Sequence, residues 1–487
     1  MTSLLRNKPF CFLLCLLIFI NSAQSKSFIN PIDYGIDRAK NDVERYYILL
    51  QCHQDAVKNG KSISYKGIEF ISIEIPQDAI TIPLPHYIDF AKVNLIVKNN
   101  SKEIDLFTLK NELSLIGPLS GWSIDKGVFK DIKEISSGTH LLVIEDETPW
   151  VNNRTGYNYG ASRRDVILVV DGVGKNKHTA SYNTIASKPI GKYCSVSRNE
   201  KIIKNLHFIR TTDSSEKTYL CNIQNQYNVK LENISISTPD NDVMFGDGAI
   251  TFHNCVRITL NDIRIDGTYS QLNKFGYGVA MNNIYDLKVN RMLASAKWGV
   301  FGTNNMNKVF FKDCDINRFD IHCYGKNVSF ERCTFRNLYN QFSSVYGTIK
   351  FSRCKFLDFI PILLEPSYNA YTGFDIVIKD CEWHVKEWHT YLIQAGNPFD
   401  EDNQRPELLK KCWPNVSINK LKIWGSDNLN TIFIYKIPTS ENMANIGYVN
   451  HISIKNITRM EENKDMPLIK LSNGLVEFEN KPKMEIK

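Results

Sequence analysis

The sequence predicts an all-β fold, a single-stranded parallel β-helix, and a repeated strand motif is the main evidence. The motif reads apolar-x-apolar-x-x-Cys-x-apolar in VFFKDCDI, VSFERCTF, IKFSRCKF and IVIKDCEW, around Cys314, Cys333, Cys354 and Cys381. Other segments place an aliphatic residue at the cysteine position, namely Ile234, Ile263, Met292, Leu421 and Ile457. Successive positions lie 19 to 40 residues apart. Short alternating strands rich in Val, Ile and Phe at such a period indicate a solenoid with one inward strand face.

We call the residue at the cysteine position of each repeat a ladder position. Stacked strands would place the ladder positions in one line, about 4.8 Å apart. Cys, Ile, Met and Leu are interchangeable there because each is a compact apolar filler. Four sulfurs along about 14 Å cannot surround one zinc ion. Disulfides between neighbouring coils are also disfavoured, because stacked Cβ atoms are farther apart than about 4.5 Å. We therefore expect reduced core thiols and no metal ligation by them.

One long helix is predicted at residues 41–60, NDVERYYILLQCHQDAVKNG. Asn41 followed by Glu44 is typical of a capping box, and Gly60 can end the helix. The expected apolar face, from helical spacing, is Val43, Tyr47, Leu50 and Val57. Because an open β-helix exposes an apolar end, we expect this helix to cap the first coil.

The N-terminus predicts export. Arg6 and Lys8 precede the apolar run FCFLLCLLIFI, and the small residues Ala23 and Ser25 follow, so residues 1–25 are expected to be a signal peptide. The mature chain, 26–487, is expected to be one β-helix domain, secreted or periplasmic. Strand-like runs between 62 and 225, including HLLVIED and DVILVVDG, are expected to be early coils that carry loops. Residues 385–410 are expected to be a long loop excursion that walls a groove.

Charge favours an anionic partner. The chain has 59 Lys and Arg against 52 Asp and Glu, a net charge of +7. Removal of Arg6 and Lys8 with the signal peptide leaves +5. A mildly basic exported protein fits a uronate polysaccharide. There is no dense Lys/Arg cluster of the kind that binds nucleic acid. No later segment is apolar enough to span a membrane. We expect a monomer.

Three stretches carry a family resemblance: NPIDYGIDRAKNDVERYYILLQCHQDAVKNGKSISYKGI, WGVFGTNNMNKVFFKDCDINRFDIH and LLEPSYNAYTGFDIVIKDC. With the ladder, they resemble exported right-handed parallel β-helix proteins of the pectate-lyase superfold. Within it they look most like gut Bacteroidetes glycosaminoglycan lyases, which cut chondroitin and hyaluronan. The resemblance implies a right-handed coil and a polysaccharide lyase. The GHG-type and RxPxxR motifs of pectin-degrading members are absent, which argues against pectin.

The stretch NRFDIHCYG predicts a catalytic site, because it alternates apolar and polar residues. The polar set would lie on one exterior strand face, with successive side chains about 6.6–7 Å apart. β-Elimination on a uronate needs a partner for the carboxylate, a base for the C5 proton and an acid for the leaving oxygen. Arg318 suits the first role, His322 the second, and Tyr324 or a loop tyrosine the third. Asp320 would orient His322 or Arg318, or help to hold Ca²⁺, the one cofactor considered.

Neighbouring segments supply the expected substrate-binding residues. They are Lys297, Trp298, Asn304, Asn337, Tyr339, Gln341, Glu365, Tyr368 and Tyr371. Asp247 and His253, in FGDGAITFHN, are the second-choice site.

Two other functions remain open at this point. A glycoside hydrolase on the same fold would use two carboxylates, Asp320 with Glu365 or Asp247. A non-catalytic carbohydrate-binding β-helix would use the aromatic and basic residues without an acid–base set. Arg318 and Asp320 could also form an ordinary surface ion pair with no catalytic role.

Overall fold

The computed structural model describes residues 28–118, 123–125, 128–130, 132–151, 161–177, 190–211, 214–237, 248–266, 270–271, 274–275, 277–294, 301–336, 339–342, 345–357, 360–364, 374–385, 390–395, 414–425, 432–436, 451–460, 470–472 and 483–486. The expected signal peptide lies outside these residues, and so does most of the expected 385–410 excursion. In these residues we find no helix long and apolar enough to cross a membrane.

The helix α1 is Asp42–Lys58, and short 3-10 turns are Pro31–Tyr34, Ile36–Arg38 and Lys133–Ile135. The first strands in chain order are β1 Phe28–Ile29, β2 Ser62–Ser64, β3 Phe70–Glu74, β4 Ile82–Pro83, β5 Tyr87–Lys98, β6 Ile104–Lys110, β7 Ser114–Pro118, β8 Ser123–Asp125, β9 Val128–Lys130, β10 Thr139–Val151, β11 Ala161–Val170, β12 Val173–Gly174, β13 Ile190–Ser195, β14 Lys201–Arg210, β15 Thr218–Gln224, β16 Tyr227–Ser237, β17 Ile250–Asp266 and β18 Ser270–Gln271. They continue as β19 Lys274–Phe275, β20 Val279–Asn290, β21 Leu293–Ala294, β22 Phe301–Lys312, β23 Asp315–Ile316, β24 Phe319–Glu331, β25 Thr334–Phe335, β26 Asn340–Phe342, β27 Val345–Ser352, β28 Lys355–Phe356, β29 Ile362–Leu364, β30 Phe374–His384, β31 Thr390–Ala395, β32 Asn415–Trp424, β33 Ile432–Lys436, β34 His451–Arg459, β35 Lys470–Ser472 and β36 Lys483–Ile486.

Parallel pairing joins 27 of these strands into one wrapped sheet, which confirms the predicted parallel β-helix. One line of parallel pairs runs through β16, β17, β20, β22 and β24. It continues through β27, β30, β32, β34 and β36. Inside the predicted loop excursion, β31 pairs in parallel with β29 and β33, so Thr390–Ala395 belongs to a coil. The inward side chains form a continuous core from Ile29 to Ile454.

The ladder predicted from the repeat is confirmed. Ile234 pairs with Ile263, and Cys381 pairs with Leu421, which in turn pairs with Ile457. Eight of the nine ladder side chains are at most 2% exposed, and Ile457 packs partly buried against the same core. The described cysteines are unpaired and buried, namely Cys52, Cys194, Cys221, Cys255, Cys314, Cys333, Cys354 and Cys381.

The two consecutive variable residues before each ladder position result from the conformation of the backbone. The residue before each ladder position has a positive φ, as at Asp313 (54°) and Arg332 (52°). This left-handed residue turns the chain, so two successive side chains point outward before the next one returns to the core. The same conformation recurs at Asn205, Asn233, Asp262, Arg291, Arg353, Asp380, Lys420 and Asn456. Asn and Asp are frequent in this set because their short polar side chains tolerate the left-handed region.

A second corner carries a ladder of asparagine side chains. Asn225, Asn254, Asn283 and Asn305 have φ between 50° and 61°. The amide of Asn254 donates to Oδ1 of Asn225, and the amide of Asn283 donates to Oδ1 of Asn254, each at 2.9 Å. These bonds tie successive coils together at the turn.

The capping helix is present, but its predicted apolar face is only partly right, because Leu50 packs against the core whereas Tyr47 and Val57 are exposed. Asn41 accepts from the backbone N–H of Glu44 at 2.8 Å, while the Glu44 carboxylate accepts from the N–H of Lys40. The side chains that enter the core are Tyr46, Leu49, Cys52, His53 and Ala56. Tyr47 and Val57 are 40% and 45% exposed. The buried face includes small and weakly polar side chains, which a hydrophobic pattern undercounts, so the pattern selected a neighbouring stripe.

The described residues between 114 and 195 depart from the coil. β7, β10, β11, β12 and β13 form an antiparallel sheet in the order β12-β11-β10-β13-β7. The runs HLLVIED and DVILVVDG, expected as early coils, are parts of β10 and β11 and pair with each other in this sheet. Leu141, Val166 and Leu168 of the sheet pack against Tyr227 and Val256 at the corners of β16 and β17.

Candidate functional site

Outward residues of consecutive coils form a polar surface, which we call the site face. Its first row, in register, is Asn222, Thr251, Ala280, Gly302, Asp320 and Gln341. Its second row is Gln224, His253, Asn282 and Asn304. The rows run along the helix axis at about 4.8 Å per coil. The site face therefore joins the predicted 318–322 site and His253 of the second-choice site.

His322 lies at the end of the second row, where a β-bulge interrupts the pairing of β22 with β24. Thr303 pairs with Ile321, but Asn304 pairs with Cys323, which leaves His322 as the extra residue of β24. A bulge re-aims a side chain and often occurs beside functional sites. The imidazole is partly exposed and lies next to the row that contains Asn304.

Arg318, just before β24, forms a buried ion pair with Asp320 of the first row. Nε of Arg318 donates to Oδ1 of Asp320 at 2.6 Å, and the two side chains are 3% and 0% exposed. A second guanidinium nitrogen donates to Oε1 of Gln341 at 3.1 Å. The ring of Tyr339 covers the guanidinium, 4.3 Å from its central carbon. The two charged groups therefore lie beneath the surface, whereas the sequence predicted an open exterior face.

Tyr277 links this ion pair to His322. Its hydroxyl lies 3.3 Å from Oδ2 of Asp320 and 2.9 Å from Nε2 of His322, and it donates to the carboxylate. While it donates to the carboxylate, the hydroxyl can only accept from the imidazole, whose Nε2 then carries a proton. The result is a continuous chain of polar groups, Arg318–Asp320–Tyr277–His322, that runs from the buried interior to the partly exposed surface.

Two opposing effects act on the pKa of the Asp320 carboxyl. Burial raises its pKa above the usual range, while the guanidinium of Arg318 favours the carboxylate. The N–H of Gln341 also donates to Oδ1, at 3.3 Å. The attraction of Asp320 raises the pKa of Arg318 in spite of its burial. Donors surround the carboxylate, so it presents no open oxygen pair for Ca²⁺, and its surroundings do not fit a calcium ligand. The described residues contain no group of three or more His, Cys, Asp or Glu arranged to hold a metal.

The structure brings together part of the predicted site. Arg318, Asp320, His322, Tyr339 and Gln341 are neighbours, and Asn304 and His253 follow in the second row of the site face. The predicted residues outside the described set are Lys297, Trp298, Asn337, Glu365, Tyr368, Tyr371, Asp247 and the side chain of Tyr324. The assignment of catalytic roles stays a prediction.

Tyr277 was missed by the sequence reasoning. It precedes β20 and reaches over the next coil to meet a residue 45 positions later. A weak signal existed, because the first row contains the small residues Ala280 and Gly302, which leave room for a covering ring. A Cβ at Gly302 would lie 2.3 Å from Cδ2 of Tyr277.

Comparison with known proteins supports the fold. No protein-family profile and no curated protein sequence matches the chain. Among solved structures, the chain is similar to the tailspike protein gp49 from Pseudomonas phage LKA1, with 12% identity, a TM-score of 0.53, and coverage of 88% of this chain and 81% of that chain. It also resembles the gp54 tailspike of Acinetobacter baumannii bacteriophage AP22, in complex with A. baumannii capsular saccharide, at 10% identity, TM-score 0.45 and coverage of 91% and 76%. A third similarity is to PfbA, a surface adhesin of Streptococcus pneumoniae, at 8% identity, TM-score 0.41 and coverage of 89% and 91%. The first similarity bears on the fold alone, and it agrees with the parallel β-helix.

Proposed function

We propose that this protein is an exported polysaccharide lyase that cleaves a uronate-containing anionic polysaccharide by β-elimination. Glycosaminoglycans such as chondroitin sulfate and hyaluronan are the first substrates to test. The observation that carries the proposal is the 2.9 Å hydrogen bond between the Tyr277 hydroxyl and Nε2 of His322. It places a general base and a hydroxyl that can donate a proton side by side on a polar outer face.

The two groups divide the acid and base roles. His322 takes the C5 proton of the uronate, and the electron pair of that bond forms the C4–C5 double bond. The C4–O4 bond breaks, and the Tyr277 hydroxyl gives its proton to the leaving oxygen. The proton held by His322 then returns to Tyr277 across their hydrogen bond, which resets the site for another turnover.

Arg318 and Asp320 act as positioning residues in this scheme. The buried pair holds Oδ2 of Asp320 under the Tyr277 hydroxyl and fixes its direction. Arg318 is 2% exposed, so we no longer assign it to the substrate carboxylate. Side-chain amides in the neighbouring row, Asn304 and Asn282, are the donors we assign to that carboxylate, since hydrogen bonds to it make the C5 proton more acidic.

The described geometry gives less support to a hydrolase. A glycoside hydrolase needs two accessible carboxyl groups at the scissile bond. Asp320 is fully buried, and both of its oxygens accept hydrogen bonds. The carboxylates considered as its partner, Glu365 and Asp247, lie outside the described residues.

The test is a screen of uronate polymers with ultraviolet detection of the unsaturated product. Tyr277→Phe keeps the ring and removes the proton, so turnover should fall by about 10²–10⁴ with little change in melting temperature. Tyr87→Phe, in β5 on an early coil, is the matched control and should retain wild-type turnover. New reducing ends without the ultraviolet product would establish a hydrolase instead. Binding without either product would establish a binding module, and both results overturn the proposal.

A further inference from the structure

A second side of the β-helix carries several lysines that do not belong to the candidate functional site. It lies beyond the corner residues Asn305 and Lys308 of β22, so it is a different side of the coil from the site face. Its outward residues form two rows along the axis. The first is Lys288, Phe310, Ser329, Lys350 and Val377; the second is Asn290, Lys312, Glu331, Ser352 and Lys379. We call this surface the lysine face.

The lysines of this face have no ion-pair partners in the described part of the chain. Lys288, Lys350 and Lys379 are exposed, and Lys312 is partly exposed. Nearer the N-terminus the same side of the coil is neutralised, because Lys204 pairs with Asp89 and Lys230 pairs with Glu232. The lysines of this side that lack an ion pair among the described residues therefore begin at β20 and recur on β22, β27 and β30.

The carboxylates on the lysine face are already engaged. Glu331 accepts from Arg332 and Arg353, and Arg332 also donates to both oxygens of Asp313, so these four charges balance one another. Asp375, at the start of β30, accepts from the side-chain amide of Asn415 at 2.9 Å. Neither carboxylate forms an ion pair with a lysine of the face. Glu331 and Asp313 offset part of the charge of Lys312, whereas the charges of Lys288, Lys350 and Lys379 have no such carboxylate among the described residues.

The lysines repeat with a regular spacing. Lys288 and Lys350 are three coils apart in one row, about 14 Å, and Lys312 and Lys379 have the same separation in the other row. Phe310 lies between Lys288 and Ser329 and presents a partly exposed aromatic ring. The surface thus offers cations and an apolar ring along one direction, the direction in which an extended polymer can lie.

We propose that the lysine face is a second, non-catalytic binding surface for a linear anionic polysaccharide. The two lysines of each row lie about 14 Å apart, whereas duplex DNA carries one charge per about 1.7 Å. A polymer with widely spaced anionic groups therefore fits the lysine face better than nucleic acid does. Binding there would hold a long substrate beside the site face and raise its local concentration. The choice of a uronate polymer rests on the proposed function, but the binding does not require catalysis.

The test compares two quadruple variants of equal charge. Lys288, Lys312, Lys350 and Lys379 are changed to Gln in one; Lys40, Lys58, Lys61 and Lys66, exposed at the N-terminal end, are changed to Gln in the other. Both are made in the Tyr277→Phe background and run by affinity electrophoresis through gels that contain hyaluronan, chondroitin sulfate, single-stranded DNA or neutral dextran. The lysine-face variant should bind the anionic polymers at least about tenfold more weakly, and the control less than twofold, with the difference vanishing at high salt.

The outcomes separate this inference from the proposed function. Equal retention of the two quadruple variants overturns the lysine face, whatever the wild-type enzyme cleaves. Selective loss of retention in a protein that cleaves no polymer supports the lysine face and rejects the lyase. Loss of retention on single-stranded DNA alone would mean a nucleic-acid surface and also overturns the proposal. With Tyr277 intact, the lysine-face variant should keep wild-type turnover on short oligosaccharides and lose it on long polymers.

Discussion

The ring of Tyr277 occupies the space that a side chain at Gly302 would fill. A Cβ built on Gly302 would lie 2.3 to 2.6 Å from three ring carbons of Tyr277. Gly302 itself lies in the first row of the site face, paired with Asp320 on the next coil. The absence of a side chain at one position of β22 therefore allows the tyrosine to reach both Asp320 and His322.

Gly302→Ala should displace Tyr277 and lower turnover to a level close to that of Tyr277→Phe. Contacts below 3 Å with ring carbons cannot persist, so the ring must move away from His322. The melting temperature should change little, because Tyr277 covers a surface row and the core residues of β22 are untouched. Turnover by ultraviolet detection, together with thermal unfolding, checks this. Wild-type activity in Gly302→Ala would show that the Tyr277–His322 bond is dispensable.

Asp320→Ala should destabilise the protein by about 3–5 kcal/mol, because it leaves the Arg318 guanidinium buried without its counter-ion. The double variant Arg318→Met with Asp320→Leu removes both charges and should recover most of that stability, since a well-packed apolar pair can replace a buried ion pair. Denaturant unfolding measures both. Activity should stay low in the double variant, because Tyr277 has lost the carboxylate that orients it. A double variant with full turnover would exclude a positioning role for the pair.

The ladder could be predicted because its signal is local. Each strand must place the same residue inward, so the pattern repeats along the chain even though the coil lengths vary. The left-handed residue before each ladder position, such as Asp313 or Arg332, corresponds to the second of the two consecutive variable residues in the motif. The sequence shows this additional residue but not its backbone conformation. By contrast, apolar and polar residues alternate in the same way in parallel and antiparallel strands. Alternation alone therefore does not distinguish the antiparallel strands β10 and β11 from the strands of a coil.

The site was predicted only in part, because burial there depends on residues from other coils. Alternation placed Arg318 and Asp320 on the outside correctly, but Tyr339 and Gln341 of the next coil cover the guanidinium. Tyr277 reaches the carboxylate from an earlier coil. A period-two pattern tells which side of a strand a residue takes. It does not tell which side chains of neighbouring coils lie over that side.

Asn254→Ala should destabilise the β-helix more than Asn254→Gly. Both variants lose the hydrogen bonds to Asn225 and from Asn283. Alanine must also adopt the positive φ of 51°, which costs a residue with a Cβ about 1–2 kcal/mol, whereas glycine adopts it readily. The difference between the two free energies of unfolding isolates the backbone term. Equal values would mean that the corner relaxes to an ordinary conformation when the amide is removed.

Cys333→Ala should lower stability by about 1 kcal/mol and leave turnover unchanged, because it opens a small cavity in the core and touches no residue of the site. The thiols of the ladder should also resist alkylation in the folded protein. Burial raises the pKa of Cys354 to about 12, so its reactive thiolate is scarce at neutral pH. The contact with Cys354 lowers the pKa of Cys381, but this thiol is 1% exposed, so burial protects it from the reagent. Thiol labelling before and after unfolding measures this. Rapid labelling of folded protein would contradict the buried ladder.

His53 should make the stability depend on pH through the capping helix. Its Nδ1 lies 2.9 Å from the carbonyl oxygen of Pro83, which can only accept, so Nδ1 carries the proton. Nε2 therefore accepts from the Tyr65 hydroxyl at 2.8 Å, and the ring is neutral. Burial lowers the pKa of His53 to about 4. Its usual value is about 6.5 in an unfolded chain.

Between those two values the unfolded chain binds a proton at position 53 that the folded protein does not. The free energy of unfolding should therefore fall as the pH drops from about 6.5 to about 4, by about 3 kcal/mol from this residue. Above pH 6.5 the residue should contribute no pH dependence. Carboxylates also titrate in this range, so the measurement is the difference between wild type and His53→Gln at each pH. If the two stability curves run parallel from pH 7 to pH 4, the helix does not bury a neutral imidazole against the first coils.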